Sequence, residues 1–253
     1  MTELFSSLQS RNFGLATQLA NSGVGLGYQK RDGTTLLHLA IDKQAPEDLV
    51  LLLLQFGANP NAELKYIGIT PMHLAAKHSR PDLVQLLFDF GGKVDFESCV
   101  GATPLLVGAN SNCTPATVQR LIECGANINY VDHDLLGSVF WAVQCGASQS
   151  LVEQLLASGA DPNCQSKRYK TSAVQLAITS NLASPVLLCL LKFGADLDLA
   201  IQQAEQLART ELVADLKKIR LLLAISAPKA RKHSRSPARL LPSELVRSLR
   251  DFI

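Results

Sequence analysis

Six glycines stand at near-constant intervals: Gly23, Gly57, Gly91, Gly125, Gly159 and Gly194, spaced by 34, 34, 34, 34 and 35 residues. Around four of them the neighbouring text repeats: Gly57-Ala58-Asn59-Pro60-Asn61, Gly125-Ala126-Asn127-Ile128-Asn129, Gly159-Ala160-Asp161-Pro162-Asn163 and Gly194-Ala195-Asp196-Leu197-Asp198. A chain with this period folds as a row of equal units, each too small to bury its own apolar face, and not as one globule around one core. A second motif lies between the glycines. Thr35-Leu36-Leu37-His38-Leu39-Ala40 matches Thr70-Pro71-Met72-His73-Leu74-Ala75, and Thr103-Pro104-Leu105-Leu106 is a weaker copy. Gly137 to Ala142 and Ser172 to Ala177 are degenerate copies in register.

These residues have a physical reading. A Thr ahead of a Pro begins a helix: the hydroxyl caps free N–H groups, and Pro in the first turn lacks an N–H that would be orphaned anyway. Small residues at Ala40, Ala75, Ala142 and Ala177 let neighbouring helices approach closely. Second helices near 47–56, 81–90, 115–124, 149–158 and 184–193 carry a Val-to-Leu spacing that makes one apolar stripe, as in Val50-x-x-Leu53-Leu54 and Val152-x-x-Leu155-Leu156. The periodic Gly fits a left-handed terminating residue, and the Asn and Asp beyond it suit a turn.

Period and motif together resemble the ankyrin-repeat family over roughly residues 1–225. The resemblance implies an all-α solenoid of stacked helix–turn–helix units with hairpin loops, capped at both ends. Residues 1–28 read as an N-terminal capping half-repeat, 29–198 as five repeats, and 199–226 as degenerate C-terminal capping helices. Residues 227–240 read as a basic linker and 241–253 as a short docking helix. In the family, the motif His bonds to backbone in the neighbouring loop, which gives His38 and His73 a structural role.

Composition narrows the function classes. The chain is 47% hydrophobic and 18% charged with a formal net charge of +2, which excludes wholesale disorder and argues against strong nucleic-acid binding. The net value hides an asymmetry: residues 1–227 hold 17 Lys+Arg against 20 Asp+Glu, and residues 228–253 hold 7 against 2. Apolar stretches such as Leu49 to Leu54 are far too short to span a bilayer. The N-terminus has no basic region followed by an apolar run, so no secretory signal is expected. The six cysteines show no CxxC or Cys–His ligand spacing and read as reduced, buried, inert thiols in the cytoplasm, the nucleus or both.

No metal, cofactor or catalytic residue is expected. His38 and His73 recur at one repeat phase, which a unique active site would not explain, and Gly23-Val24-Gly25-Leu26-Gly27 lacks the strand and GK[ST] of a phosphate loop. An extended solenoid surface suits protein binding instead. The resemblance implies that partners meet the hairpin tips and the exposed positions of the first helices: Arg31, Asp32, Tyr66, Ile67, Ile69, Lys77, His78, Val100, His133, Asp134, Arg168 and Tyr169. Tyr66-Ile67 and Cys99-Val100 are apolar where loops are normally polar, a feature of partner sites when it is exposed. Trp141 falls at a family core position. The chain is expected to be a monomer on its own and a non-catalytic adaptor or scaffold for one or more proteins, with no membrane and no nucleic acid as partner.

The tail adds a second reading. Lys229, Arg231, Lys232, Arg235 and Arg239 suit an import signal, and Ser234 and Ser236 suit phosphorylation. Beyond them Leu245, Leu249 and Phe252 share one helical face able to dock. This end resembles a SOCS box, which implies elongins and a cullin as partners and a substrate-recognition role in a ubiquitin ligase. It departs from that pattern at Arg220, where the box has Cys, and at Glu244, where it has Pro.

Overall fold

The structure is a computed structural model that describes residues 3–23, 28–167, 170–179 and 184–226, with residues 184 and 222–226 described by their backbone alone. Backbone contacts divide the chain into two compact units, Met1–His133 and Asp134–Ile253.

The first unit holds four helix pairs: α1 (Glu3–Gln9) with α2 (Phe13–Asn21), α3 (Leu36–Asp42) with α4 (Glu47–Gln55), α5 (Pro71–Lys77) with α6 (Pro81–Asp89), and α7 (Pro104–Asn110) with α8 (Pro115–Glu123). The second holds α9 (Ser138–Gln144) with α10 (Gln149–Ala157), α11 (Ala173–Thr179) with α12 (Ser184–Lys192), and α13 (Leu197–Gln206) with α14 (Thr210–Ser226). In the five central pairs every first helix has 7 residues and every second helix 9. Helices this short are marginal alone. They persist because like stacks on like: α1, α3, α5 and α7 in one row and α2, α4, α6 and α8 in another, with α9, α11 and α13 forming a row in the second unit.

The core lies between the rows. Leu37, Leu49, Val50, Met72, Leu83, Val84, Leu87, Leu105, Val118 and Leu121 are fully or almost fully buried in the first unit, as are Val139, Leu151, Val152 and Leu155 in the second. Burying each such side chain contributes about 1.5–3 kcal/mol. The predicted small positions Ala40, Ala75, Ala142 and Ala177 are also buried. The N-terminal piece carries both helices of a pair, with Phe5 and Leu8 buried. Phe5 also meets Tyr28 edge-on at 5.3 Å between centroids.

Two turn devices close each unit. The periodic glycines take the left-handed conformation, as at Gly57 with φ 84° and Gly159 with φ 93°, and the next residue's N–H returns to the helix, Ala58 N to Leu53 O at 3.0 Å. Between the two helices of a pair the left-handed residue is usually not glycine: Gln44, Ser79 and Asn112 have φ of 60°, 55° and 53°. These sites carry the same closure, Ala45 N to Ala40 O at 2.8 Å and Arg80 N to Ala75 O at 3.0 Å. A motif read by glycine cannot show them.

The cysteine expectation needs correction. Cys113, Cys124 and Cys189 are buried, but Cys99 and Cys145 are exposed and Cys164 is half-buried. Cys99 sits on a hairpin and Cys145 at the end of α9, where neither meets the core. All six are free thiols. Burial pushes Cys164 and Cys189 up to about 11, which keeps them protonated and unreactive. Trp141 is half-buried, so it packs without being fully enclosed.

Candidate functional site

The candidate surface begins with the histidines that hold its hairpins. His38 lies in the first turn of α3 and forms a reciprocal capping box with Thr35. Its Nε2 stands 3.1 Å from the carbonyl oxygen of Ile69, in the next hairpin. His73 repeats this from α5: Nδ1 accepts from the Thr70 N–H at 3.1 Å, and Nε2 lies 3.0 Å from Ala102 O. Accepting at Nδ1 places the proton on Nε2, which donates to the carbonyl. Burial pushes the His73 imidazole down to about 4 and lowers His38 in the same direction. Both rings are therefore neutral near pH 7 and both of their nitrogens are engaged, an arrangement for positioning a loop and not for moving a proton.

The box is kept with different chemistry at Gln175, whose Oε1 accepts from the Ser172 N–H at 2.8 Å. It is broken at Leu106. There Thr103 is the residue ahead of α7, its Oγ1 is buried, and it has no hydrogen-bond partner.

Each held hairpin meets the next through its backbone. Lys65 N donates to Asp32 O at 2.9 Å, Cys99 N to Ile67 O at 3.1 Å, and His133 N to Val100 O at 3.3 Å. In the second unit Lys167 N donates to Asp134 O at 2.8 Å. Close approach needs glycine on the hairpin: at Gly68, with φ 66°, a Cβ would lie 2.9 Å from Cys99 N. Gly33, Gly68 and Gly101 form a second glycine series, spaced by 35 and 33 residues, and that series was the available signal for the row of tips. Side chains lock the loops below: Asn61 Nδ2 donates to Gly91 O at 2.8 Å, and its Oδ1 accepts from Lys93 N at 2.8 Å.

On this row the predicted residues separate by exposure. Tyr66 is 79% exposed, Ile67 52% and Val100 62%, so these apolar groups project into water and are not packed between hairpins. Arg31, Asp32 and Asp134 are exposed too. His133 is exposed and stands 4.0 Å from Glu97, which also receives a hydrogen bond from Tyr130. Ile69 is half-buried and its carbonyl is taken by His38, so it serves the scaffold more than the surface. Along the first helices Asp42 lies 3.1 Å from Lys43 Nζ and 3.5 Å from His78 Nε2, while Lys77 is exposed. Partial burial works to raise the Asp42 carboxyl, but Lys43 and the His78 ring outweigh it and hold it below its usual value.

Arg168, Tyr169, Ser234, Ser236, Leu245, Leu249 and Phe252 lie outside the described residues. Leu216 is buried in the chain's own core, and Arg220, one of the departures from the SOCS-box pattern, pairs at the surface with Asp198 at 3.3 Å. Among the described residues no His, Cys, Asp and Glu cluster could hold a metal ion, and no helix is long and apolar enough to cross a membrane.

A family model of ankyrin repeats, in three copies, matches residues 37–132. Over 166 residues, 64% of this chain, the sequence is 36% identical to the B-cell lymphoma 3 protein homolog of Mus musculus and spans 36% of its length. It is 30% identical over 142 residues to Neurogenic locus notch homolog protein 1 of Xenopus tropicalis, covering 56% of this chain and 6% of that protein. The chain thus spans well under half the length of these curated relatives. Among solved structures, the ankyrin repeat domain of Bcl-3, described as a unique member of the IkappaB protein family, aligns with a TM-score of 0.63 and 32% identity, covering 78% of this chain and 87% of that one. Repeat period, helix pairing and these matches agree: the chain belongs to the ankyrin-repeat family.

Proposed function

We propose that this chain is a non-catalytic adaptor or scaffold that captures a partner protein on the hairpin tips and first helices of residues 29–133. The observation that carries the reading is the exposure of Tyr66, Ile67 and Val100 on hairpins whose backbones are already satisfied by one another. Rigid, pre-positioned apolar groups lose little entropy on binding, and Tyr is a frequent interface anchor. Lys77 and the Asp42–His78 pair supply polar contacts beside them. Six free thiols suit a reducing compartment, the cytoplasm or nucleus.

The ubiquitin-ligase reading would need Leu216 free to meet an elongin, and Leu216 is buried within the chain. The adaptor reading is therefore the one advanced. Affinity purification with full-length protein and with a Tyr66→Ser, Ile67→Asp variant tests it. Partners recovered by the wild type should be lost by the variant while its melting temperature holds. Partners retained at wild-type levels would overturn it. Elongins recovered by the full chain and lost on removing residues 227–253 would favour the ligase reading instead.

A further inference from the structure

One position recurs on every hairpin tip but is not filled alike. Gly33, Gly68, Gly101, Leu135 and Lys170 follow one another at intervals of 35, 33, 34 and 35 residues. All five backbones are left-handed, with φ of 90°, 66°, 76°, 63° and 54°. Glycine enters that region freely, whereas a bulky side chain there is strained. In the first unit close approach of the next hairpin also asks for glycine, as at Gly33, where a Cβ would lie 2.5 Å from Glu63 O. The second unit places a leucine and a lysine at this position instead.

Among the described residues Leu135 is the one large apolar side chain in the left-handed region. It gains little from the core in return, since it is 49% exposed. Strain and exposed apolar surface both lower stability, and their coincidence on one side chain points to contact with something outside the fold.

Backbone bonds join the two hairpins of the second unit. Lys167 N donates to Asp134 O at 2.8 Å, which sets Lys167 beside Leu135. Lys170 N donates to Ser166 O at 2.9 Å and Ser166 N to Thr171 O at 3.0 Å, so a tight turn returns Lys170 to the same tip. Lys167 and Lys170 are exposed, and among the described residues neither has an ion-pair partner. Between Asp161 and Asp196 the sequence has Lys167, Arg168, Lys170 and Lys192 and no acid. Lys192 is taken by Glu153 at 3.2 Å, and Arg168 lies outside the described residues. On the hairpins 130–137 and 164–171, Asp134 is the one exposed acid among the described residues.

We propose that Leu135, Lys167 and Lys170 form a docking surface for an acidic segment of a partner protein that carries an apolar residue among its carboxylates. The apolar residue meets Leu135, and the carboxylates meet the two ammonium groups. Charge selects this occupant: a basic segment would face two cations that the chain leaves unpaired. The hairpin bonds already fix the backbone, so little ordering is needed on binding. None of these residues belongs to the Tyr66, Ile67 and Val100 surface, so the proposal stands or falls apart from the adaptor reading.

The test uses the full chain and a labelled peptide with leucines set among glutamates. Fluorescence anisotropy should show binding that weakens as salt rises. Versions with lysine for glutamate, or serine for leucine, should bind at least about tenfold more weakly. The Lys167→Glu, Lys170→Glu double variant should lose at least about tenfold. Leu135→Gly should lose as much while melting at or above the wild-type temperature, because glycine releases the strain. Should it melt early, the two exposed lysines decide alone. No binding by the wild type, equal binding of the lysine peptide, or binding unchanged by Leu135→Gly or by the double variant would overturn the proposal. So would binding lost in the Tyr66→Ser, Ile67→Asp variant, or a dimer in sedimentation velocity that the double glutamate variant abolishes, which would make a second copy the occupant.

Discussion

His73 reaches out of its own helix to the carbonyl oxygen of Ala102, 3.0 Å away and 29 residues on in sequence. One neutral imidazole thereby ties the start of α5 to the hairpin that precedes α7.

That tie has a pH signature. The folded His73 titrates at about 4, below its ordinary 6.5, because burial disfavours the imidazolium. The unfolded chain therefore binds the proton first. Stability from this group is complete above about pH 6.5 and is lost as the pH falls toward about 4, by about 3 kcal/mol over the interval. His38 is shifted in the same direction. Denaturant midpoints measured across that window should fall less in His73→Gln than in wild type. Gln175 already shows that an amide can complete the same box. An unchanged slope would mean that His73 is not buried neutral.

The two capping threonines should respond oppositely. Thr70 completes a box with His73, so Thr70→Val should cost about 1–2 kcal/mol. Thr103 is equally buried but its Oγ1 has no partner, so Thr103→Val should be neutral or stabilising. Thermal denaturation of both variants checks the contrast.

Two glycines in the left-handed region should differ for a reason of space. A Cβ at Gly57 meets nothing, so Gly57→Ala should cost only the conformational strain, about 1–2 kcal/mol. At Gly68 the same carbon would press on the backbone of Ser98 and Cys99, so Gly68→Ala should cost more and disturb the Cys99 N to Ile67 O bond. Equal losses in urea titrations would show that the hairpins are not locked tip to tip.

Core and surface should separate cleanly. Leu87 is fully buried, and Leu87→Ala should destabilise by about 2–5 kcal/mol. Tyr66→Ser with Ile67→Asp should leave the helical circular dichroism and melting temperature nearly unchanged. A large loss of melting temperature in the latter would make these residues structural.

Much of the architecture was legible because it is local. Thr70-Pro71 begins a helix, Gly57 ends one, and the Val50 to Leu53 spacing makes a stripe, each within a few residues. The tip residues were named from the same register, but register does not contain exposure: Tyr66 and Ile69, three residues apart, divide into an open side chain and a half-buried one. The left-handed turns at Gln44 and Ser79 carry no glycine and so leave no mark in the repeat pattern.

The repeat period, the ends of the helices and the apolar stripe were set by the chain's own spacing, since 34 residues suffice to write one helix pair and its hairpin. Tertiary structure alone decided which side chains outside that pattern stay in water and which polar atoms find partners. Phe56 and Phe193 stand at one register, yet only Phe193 has a lysine over its ring; Thr70 and Thr103 stand at another, yet only Thr70 has a histidine to meet. Such differences depend on what neighbouring positions and neighbouring units bring together in space, and stacking sets that.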